Sequence, residues 1–198
     1  MNTIEDIVLR YSERGMKDIR PYVSTDCCHK AAKEILSWER GNVFLTTGFY
    51  VAGYAETDGP VGTLTLALAL KKLGFSPIML TDSYCEGFFE EQPVGVEYVS
   101  PDAGKNELDE LVTKYRPVGM ISVERCGKND EGLYANMRGV DISPHTAPID
   151  ELFVSYGNRI PSIGVGDGGN EIGMGKIAGP IRRKLSLNPC VVSTDVLV

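Results

Sequence analysis

Acidic residues and glycines fall in short runs along this chain, and each run follows or precedes an apolar segment. Thr46-Thr47-Gly48-Phe49 closes the segment beginning Asn42, and Glu56-Thr57-Asp58-Gly59-Pro60-Val61-Gly62 comes soon after it. Thr81-Asp82 closes a second apolar segment and Glu124-Arg125 a third. Gly166-Asp167-Gly168-Gly169-Asn170-Glu171 closes a fourth. Carboxylates gathered in one place support two kinds of chemistry. Crowding raises their pKa values, which supplies a proton donor and a proton acceptor near neutral pH. The same oxygens can instead hold a hard divalent cation such as Mg²⁺, Mn²⁺ or Ca²⁺. Glu56, Glu124 and Asp167 are the expected catalytic acids. With Glu171 they are also the expected ligands of such an ion.

Groups that could hold an anionic substrate lie nearby. Asp58-Gly59-Pro60 leads into the apolar run Val61–Leu73, and Pro60 suits a first helical turn. Free amides at a helix start can hold a carboxylate or phosphate; the plainer alternative is that Thr57 or Asp58 only caps the helix. The Arg138 guanidinium, in Asn136-Met137-Arg138-Gly139, can fork onto a carboxylate. For Arg138, as for Arg125, the alternative is a surface salt bridge. Thr47, Gly48, Asp58, Gly59, Arg138, Gly168, Gly169 and Asn170 are the expected substrate contacts. Gly164–Gly175 contains six glycines, a density that implies close backbone approach or strained turns. Gly164-Val-Gly166-Asp-Gly168-Gly169 satisfies the GxGxxG pattern of dinucleotide sites, with Asp195 placed further on as a ribose acid would be. Asp167 inside that cradle and Glu171 behind it would repel a diphosphate, so no nucleotide cofactor is expected.

Other residues carry less. Two histidines, His29 and His145, exclude zinc held by several histidines, and both read as residues without chemistry. Trp38 and Tyr54 read as packing residues. The five cysteines are odd in number and irregular in spacing. Adjacent Cys27-Cys28 fits neither a common disulfide nor a CxxC metal site, so reduced thiols are expected.

These residues need elements to position them, and the pattern alternates strand and helix. Helices are expected over Thr3–Ser12, with Ile4, Ile7, Val8 and Tyr11 on one face, and over Asp26–Trp38. Val61–Leu73 is apolar nearly all round and reads as a fully buried helix. Further helices are expected over Asn106–Tyr115 and Ile149–Tyr156, and an interrupted one over Glu171–Leu185. Strands are expected over Asn42–Thr47, Ser76–Thr81, Val96–Val99, Val118–Val123 and Ile160–Val165, with a last one from Cys190 to Ser193. Alternation of this kind gives a three-layer α/β/α sandwich with a mostly parallel sheet. Ligands then bind beyond the carboxyl ends of the strands, where the acids and glycines fall. The irregular stretch Glu124–Pro148 is too long for an idle connection and is expected to fold over something.

Length and composition agree with this reading. The chain has 198 residues, 42% hydrophobic and 24% charged, with net charge −7. One α/β domain over residues 1–198 is expected. A negative chain without a basic tract suits neither nucleic acid nor an anionic membrane. No apolar run reaches membrane-spanning length, and Met1–Arg14 lacks the features of a secretory signal or transit peptide. A cytoplasmic protein acting on a small molecule such as a small acid is expected, with homo-oligomers allowed.

The specific runs have a counterpart. Thr46–Phe49, Glu56–Gly62, Thr81-Asp82, Val123–Cys126, Tyr134–Ser143 and Gly164–Gly175 resemble, in kind and order, the D-glutamate cyclase C-terminal-domain family. The resemblance runs from about Lys33 onward. It implies a lyase that converts D-glutamate to 5-oxo-D-proline and water by attack of the amine on the γ-carboxyl. A divalent-metal-dependent phosphate-ester hydrolase and a non-catalytic amino-acid-binding module are the alternatives. Two features depart from the family. Its usual proline after Glu-Arg is here Cys126. Its members continue past the last strand with an Asn-Trp-Gly-Gly-Tyr-like segment, so this chain, ending at Val198, is expected to lack that C-terminal segment.

Overall fold

The computed structural model describes residues 3–12 and 15–198. Its centre is a six-stranded, all-parallel sheet whose strands lie, from one edge to the other, in the order Gly95–Tyr98, Ser76–Thr81, Asn42–Thr46, Gly119–Val123, Ser162–Val165 and Val196–Leu197. The strands are β1 (Asn42–Thr46), β4 (Ser76–Thr81), β5 (Gly95–Tyr98), β6 (Gly119–Val123), β7 (Ser162–Val165) and β8 (Val196–Leu197). Between β1 and β4 a small antiparallel hairpin pairs β2 (Tyr50–Val51) with β3 (Tyr54–Ala55). The helices are α1 (Ile4–Val8), α2 (Met16–Ile19), α3 (Cys27–Ser37), α4 (Asp58–Lys72), α5 (Lys105–Tyr115), α6 (Asp150–Tyr156) and α7 (Ala178–Leu185).

Period-two alternation along the buried strands builds the three layers. Val43, Leu45, Met79, Ile121 and Ile163 form one core with Ala31 of α3 and Ala67 and Leu70 of α4. Their neighbours Phe44, Ile78, Leu80 and Met120 form the other, with Leu108 of α5, Leu152 and Phe153 of α6, and Ile19 and Ile181 of α2 and α7. The expected α/β/α sandwich is what the chain forms. Registers such as Thr46 opposite Leu80 and Ser122, and Val123 opposite Val165, bring four strand ends to one edge. Growth of the sheet reverses direction between β1 and β6, the position where open parallel sheets leave a crevice.

Several elements differ from expectation. Helix α4 is not buried all round: Val61 is 66% exposed, and only a stripe including Thr63, Ala67 and Leu70 is covered. Its leucines alternate in sequence, so they spread around the helix rather than line one side. Cys190–Ser193 forms no strand but runs beside Gly173 and Met174, and the edge is closed by β8 instead. Glu171 to Met174 is an irregular run of isolated bridges and a turn, with Gly173 at φ 109°, and the helix starts only at Ala178 after a 3-10 turn. Helix α1 is short and continues as a 3-10 turn to Tyr11, with Ile4, Ile7, Val8 and Tyr11 all exposed. Trp38 packs as expected, edge-on to Phe75, over Gly119, where any side chain would collide with the indole. Tyr54 is 78% exposed and packs little. No helix among the described residues is long and apolar enough to cross a membrane.

Candidate active site

The site is built where the chain leaves β6. Glu124 sits at φ 50°, in the left-handed region that costs a non-glycine residue about 1–2 kcal/mol. Its N–H still donates to Val165 O at 3.0 Å. Beyond it, Cys126 pairs antiparallel with Glu171, and Ile172 N donates to Arg125 O at 2.9 Å. This two-sided attachment lays the Asn170–Ile172 segment beside Glu124.

The glycine run explains itself around Glu171. Gly168 N donates to Glu171 Oε1 at 2.8 Å and Gly169 N to Oε2 at 2.7 Å. A Cβ on Gly168 would lie 2.6 Å from Glu171 Oε1, and one on Gly166 2.7 Å from Glu171 Cβ. The amides that resemble a phosphate cradle therefore embrace the chain's own buried carboxylate. Asp195 is likewise engaged within the chain; its carboxylate accepts from Ser162 N at 2.8 Å, at the start of β7.

Glu124, Asp167 and Glu171 each offer a carboxylate oxygen, all within 4.8 Å of one another. Burial, then the charges of Glu171, Asp167, Asp58 and Glu56, push the Glu124 carboxyl up to about 9. Burial likewise raises Glu171, to about 7, against the pull of its backbone N–H donors. The folded state thus holds protons that the unfolded chain releases above about pH 4.5. Stability contributed by these groups is complete at low pH and is lost as pH rises toward about 9. In chelator-treated protein the expected slope is up to about 1.4 kcal/mol per pH unit for each proton so held. Glu124→Gln should flatten it. Urea unfolding at several pH values measures the slope, and equal slopes in the two proteins would show that Glu124 holds no such proton.

A cavity of about 540 Å³ opens over this cluster, lined by Glu56, Glu124, Glu171, Asn170, Arg138 and His145 among others. That size suits a small-molecule ligand. The long Glu124–Pro148 stretch forms much of its wall, and among the described residues Arg138 is the one arginine or lysine lining it. Asn136 Oδ1 accepts from Arg138 N at 2.9 Å and from Val140 N at 3.1 Å, which fixes the turn carrying Arg138. Asn170 donates to Ala135 O at 2.8 Å, while its own amide oxygen is buried without a protein partner. Asp167 lines a different, apolar cavity of about 310 Å³ on the far side of Glu124, which borders both. Gly168 and Gly169 line a third, of about 380 Å³, that shares Arg138.

Four other expected substrate contacts do not line this cavity: Thr47, Gly48 and Gly59 are buried and Asp58 is exposed. Thr47 and Gly48 are buried, and their carbonyls accept from Arg125 Nη1 at 3.4 and 3.0 Å. The Asp58 carboxylate accepts from Gly59 N at 2.7 Å at the start of α4. Gly59 lets the helix approach the strand end; a Cβ there would meet Thr47 Oγ1 at 2.9 Å and Glu124 Cβ at 3.0 Å. Arg125 is no surface residue. It is buried and paired with Asp82 at 2.7 Å.

His145 is a site residue that sequence reasoning passed over. It lines the cavity, stacks on Tyr50 with ring centroids 4.1 Å apart, and shares a 2.6 Å hydrogen bond between Nδ1 and the Tyr84 hydroxyl. The hairpin bearing Tyr50 was missed as well. Its signal was Ala52-Gly53, both at positive φ between two short aromatic-containing pairs.

Comparison with known proteins identifies a family and a relative. The profile of a family described as D-glutamate cyclase-like, C-terminal, matches residues 4–198, beginning well before Lys33. The human protein named D-glutamate cyclase, mitochondrial, is 29% identical over 186 aligned residues. The match covers 79% of this chain and 30% of the human protein, so the chain spans under a third of that relative's length.

Proposed function

The chain belongs to the D-glutamate cyclase-like C-terminal family, and from that premise we propose that it is a lyase closing D-glutamate to 5-oxo-D-proline and water. The observation that carries the proposal is a proton-holding carboxyl, Glu124, set beside two further carboxylates and sharing a cavity wall with a lone guanidinium.

Ring closure forms a bond between the amine nitrogen and the γ-carboxyl carbon and breaks one carbon–oxygen bond there. Two protons pass from the ammonium to the departing oxygen, which leaves as water. No enzyme nucleophile is needed. Glu124, protonated at neutral pH, donates to the leaving oxygen. Glu171, on the same cavity, takes up what the ammonium releases, with Asp167 behind Glu124 as its relay within the cluster, and the separated pKa values of Glu124 and Glu171 suit this exchange. Arg138 holds the α-carboxylate by a forked pair of hydrogen bonds, which orients the amine toward the γ-carbon. The buried oxygen of Asn170 accepts from the substrate ammonium.

The three carboxylates also fit a hard divalent cation, since all are oxygen donors within reach of one another. Glu124, Asp167 and Glu171 would hold it, with Glu56 across the cavity; it would neutralise their charge and polarise a carboxyl oxygen.

Chiral chromatography that follows D-glutamate loss and 5-oxoproline formation, with L-glutamate as control, tests the reading. Arg138→Ala should raise KM by roughly 10–100-fold with kcat little changed, because the clamp acts equally on ground and transition states. A protein that leaves D-glutamate untouched would overturn the proposal. An Arg138→Ala variant with unchanged KM would remove the clamp.

A further inference from the structure

We propose that Glu5, Cys27 and Cys28 form a second metal site, with donors distinct from those of the carboxylate cluster but on the same apolar cavity that Glu124 and Asp167 border, that takes one thiophilic dication of the Zn²⁺ or Cd²⁺ class. In sequence the adjacent cysteines lack a metal-binding spacing, and the third donor comes from 22 residues upstream. Thr3 caps α1 through Asp6, a reciprocal pair of hydrogen bonds at 3.2 and 2.9 Å. That cap fixes α1 so that Glu5 reaches the start of α3. There Glu5 Oε1 accepts from Cys28 N at 3.0 Å and from Cys27 Sγ at 3.5 Å.

Geometry, chemistry and access agree. The three ligand atoms lie within 4.8 Å of one another. Zinc bond lengths of about 2.3 Å to sulfur and about 2.1 Å to oxygen put tetrahedral S···O neighbours about 3.6 Å apart and S···S neighbours about 3.8 Å apart. Cys27 Sγ and Glu5 Oε1 already stand at that separation, so only small side-chain rotations remain. Two thiolates and one carboxylate carry three negative charges. Arg20 Nη2 lies 3.9 Å from Glu5 Oε2, so a dication would leave the group neutral overall. Glu5 and Cys27 are buried, Cys28 is half-buried, and all three line the apolar cavity of about 310 Å³, which gives an ion its path and leaves a fourth position for water. Sulfur donors select soft cations, whereas the Glu124 cluster has oxygen donors alone. Among the described residues, Cys85, Cys126 and Cys190 belong to no such donor group.

The test uses reduced, chelator-stripped protein titrated with Cd²⁺. Expected is an ultraviolet thiolate-to-cadmium charge-transfer band that saturates at one equivalent. Cys27→Ser and Cys28→Ser should each diminish the band and weaken binding by on the order of 10–100-fold or more, and Glu5→Gln should weaken binding while keeping the band. Cys28, half-buried, is the substitution least able to disturb folding, and circular dichroism checks it. In the unmutated protein, one equivalent of Zn²⁺ should slow alkylation of Cys28 by iodoacetamide. Absence of the band, its survival in the Cys27→Ser/Cys28→Ser double variant, or alkylation at the same rate with and without Zn²⁺ would each overturn the site.

Discussion

Glu124→Gln is expected to lower kcat for D-glutamate ring closure by about 10²–10⁴, the usual worth of one positioned acid–base group. Glutamine keeps the shape and the φ 50° backbone but has no proton to give to the departing oxygen. Asp167→Asn should cost a similar factor, since it sits within 4.8 Å of both other carboxylates. Substrate affinity should change little in either, because the clamp at Arg138 is untouched. The measurement is steady-state turnover by chiral chromatography, with circular dichroism as a check on folding. Calorimetric titration with Mn²⁺ separates the two uses of the cluster. Ion binding lost in both variants identifies the carboxylates as ligands; no ion binding, with both variants inactive, leaves proton transfer as their role. Wild-type turnover in Asp167→Asn would make that residue a structural turn only.

The strands that place this cluster were readable because they are short apolar runs buried on both faces, as in NVFLT and SPIMLT. Their edge was readable for the same reason, since parallel strands joined by helices share one carboxyl end. What could not be read was the destination of each polar group at that edge. The glycines near Glu171 looked like a ligand cradle, and they are one, but the ligand is a carboxylate five residues along from Gly166. Leucines in α4 suggested burial because apolar content was visible and facing was not. His145 looked idle because its partners, Tyr50 and Tyr84, lie 95 and 61 residues away in sequence.

The Asp82–Arg125 pair shows the same limit at its sharpest. Glu124-Arg125 in sequence reads as a charged step at a strand end, and such pairs at a surface contribute little. In the fold the Arg125 side chain is 1% exposed and that of Asp82 4%. Nη1 reaches Asp82 at 2.7 Å and Gly48 O at 3.0 Å, and Nη2 reaches Ala147 O at 2.9 Å. One guanidinium therefore ties the ends of β1 and β4 to the loop before α6, one residue from Glu124. Arg125→Met should strand a buried carboxylate and the Gly48 carbonyl, while Thr47 O keeps its bond from Thr81 Oγ1 and Ala147 O its bond from Ile149 N. The expected loss is about 3–5 kcal/mol, the cost of breaking a buried ion pair from one side. For a domain of this size that lowers Tm by roughly 6–20 °C. Asp82→Asn should cost a similar amount by leaving the guanidinium without its counter-charge. The double variant Asp82→Leu/Arg125→Met should recover much of the stability, because an apolar pair carries no desolvation penalty. It should not recover turnover, since nothing then holds Gly48 and Ala147 together beside Glu124. Thermal and urea unfolding of the three variants, with the chromatographic assay, measure both effects. A loss below about 1 kcal/mol in Arg125→Met would mean the pair is solvated, and the anchoring of Glu124 would have to come from the Glu171 segment alone.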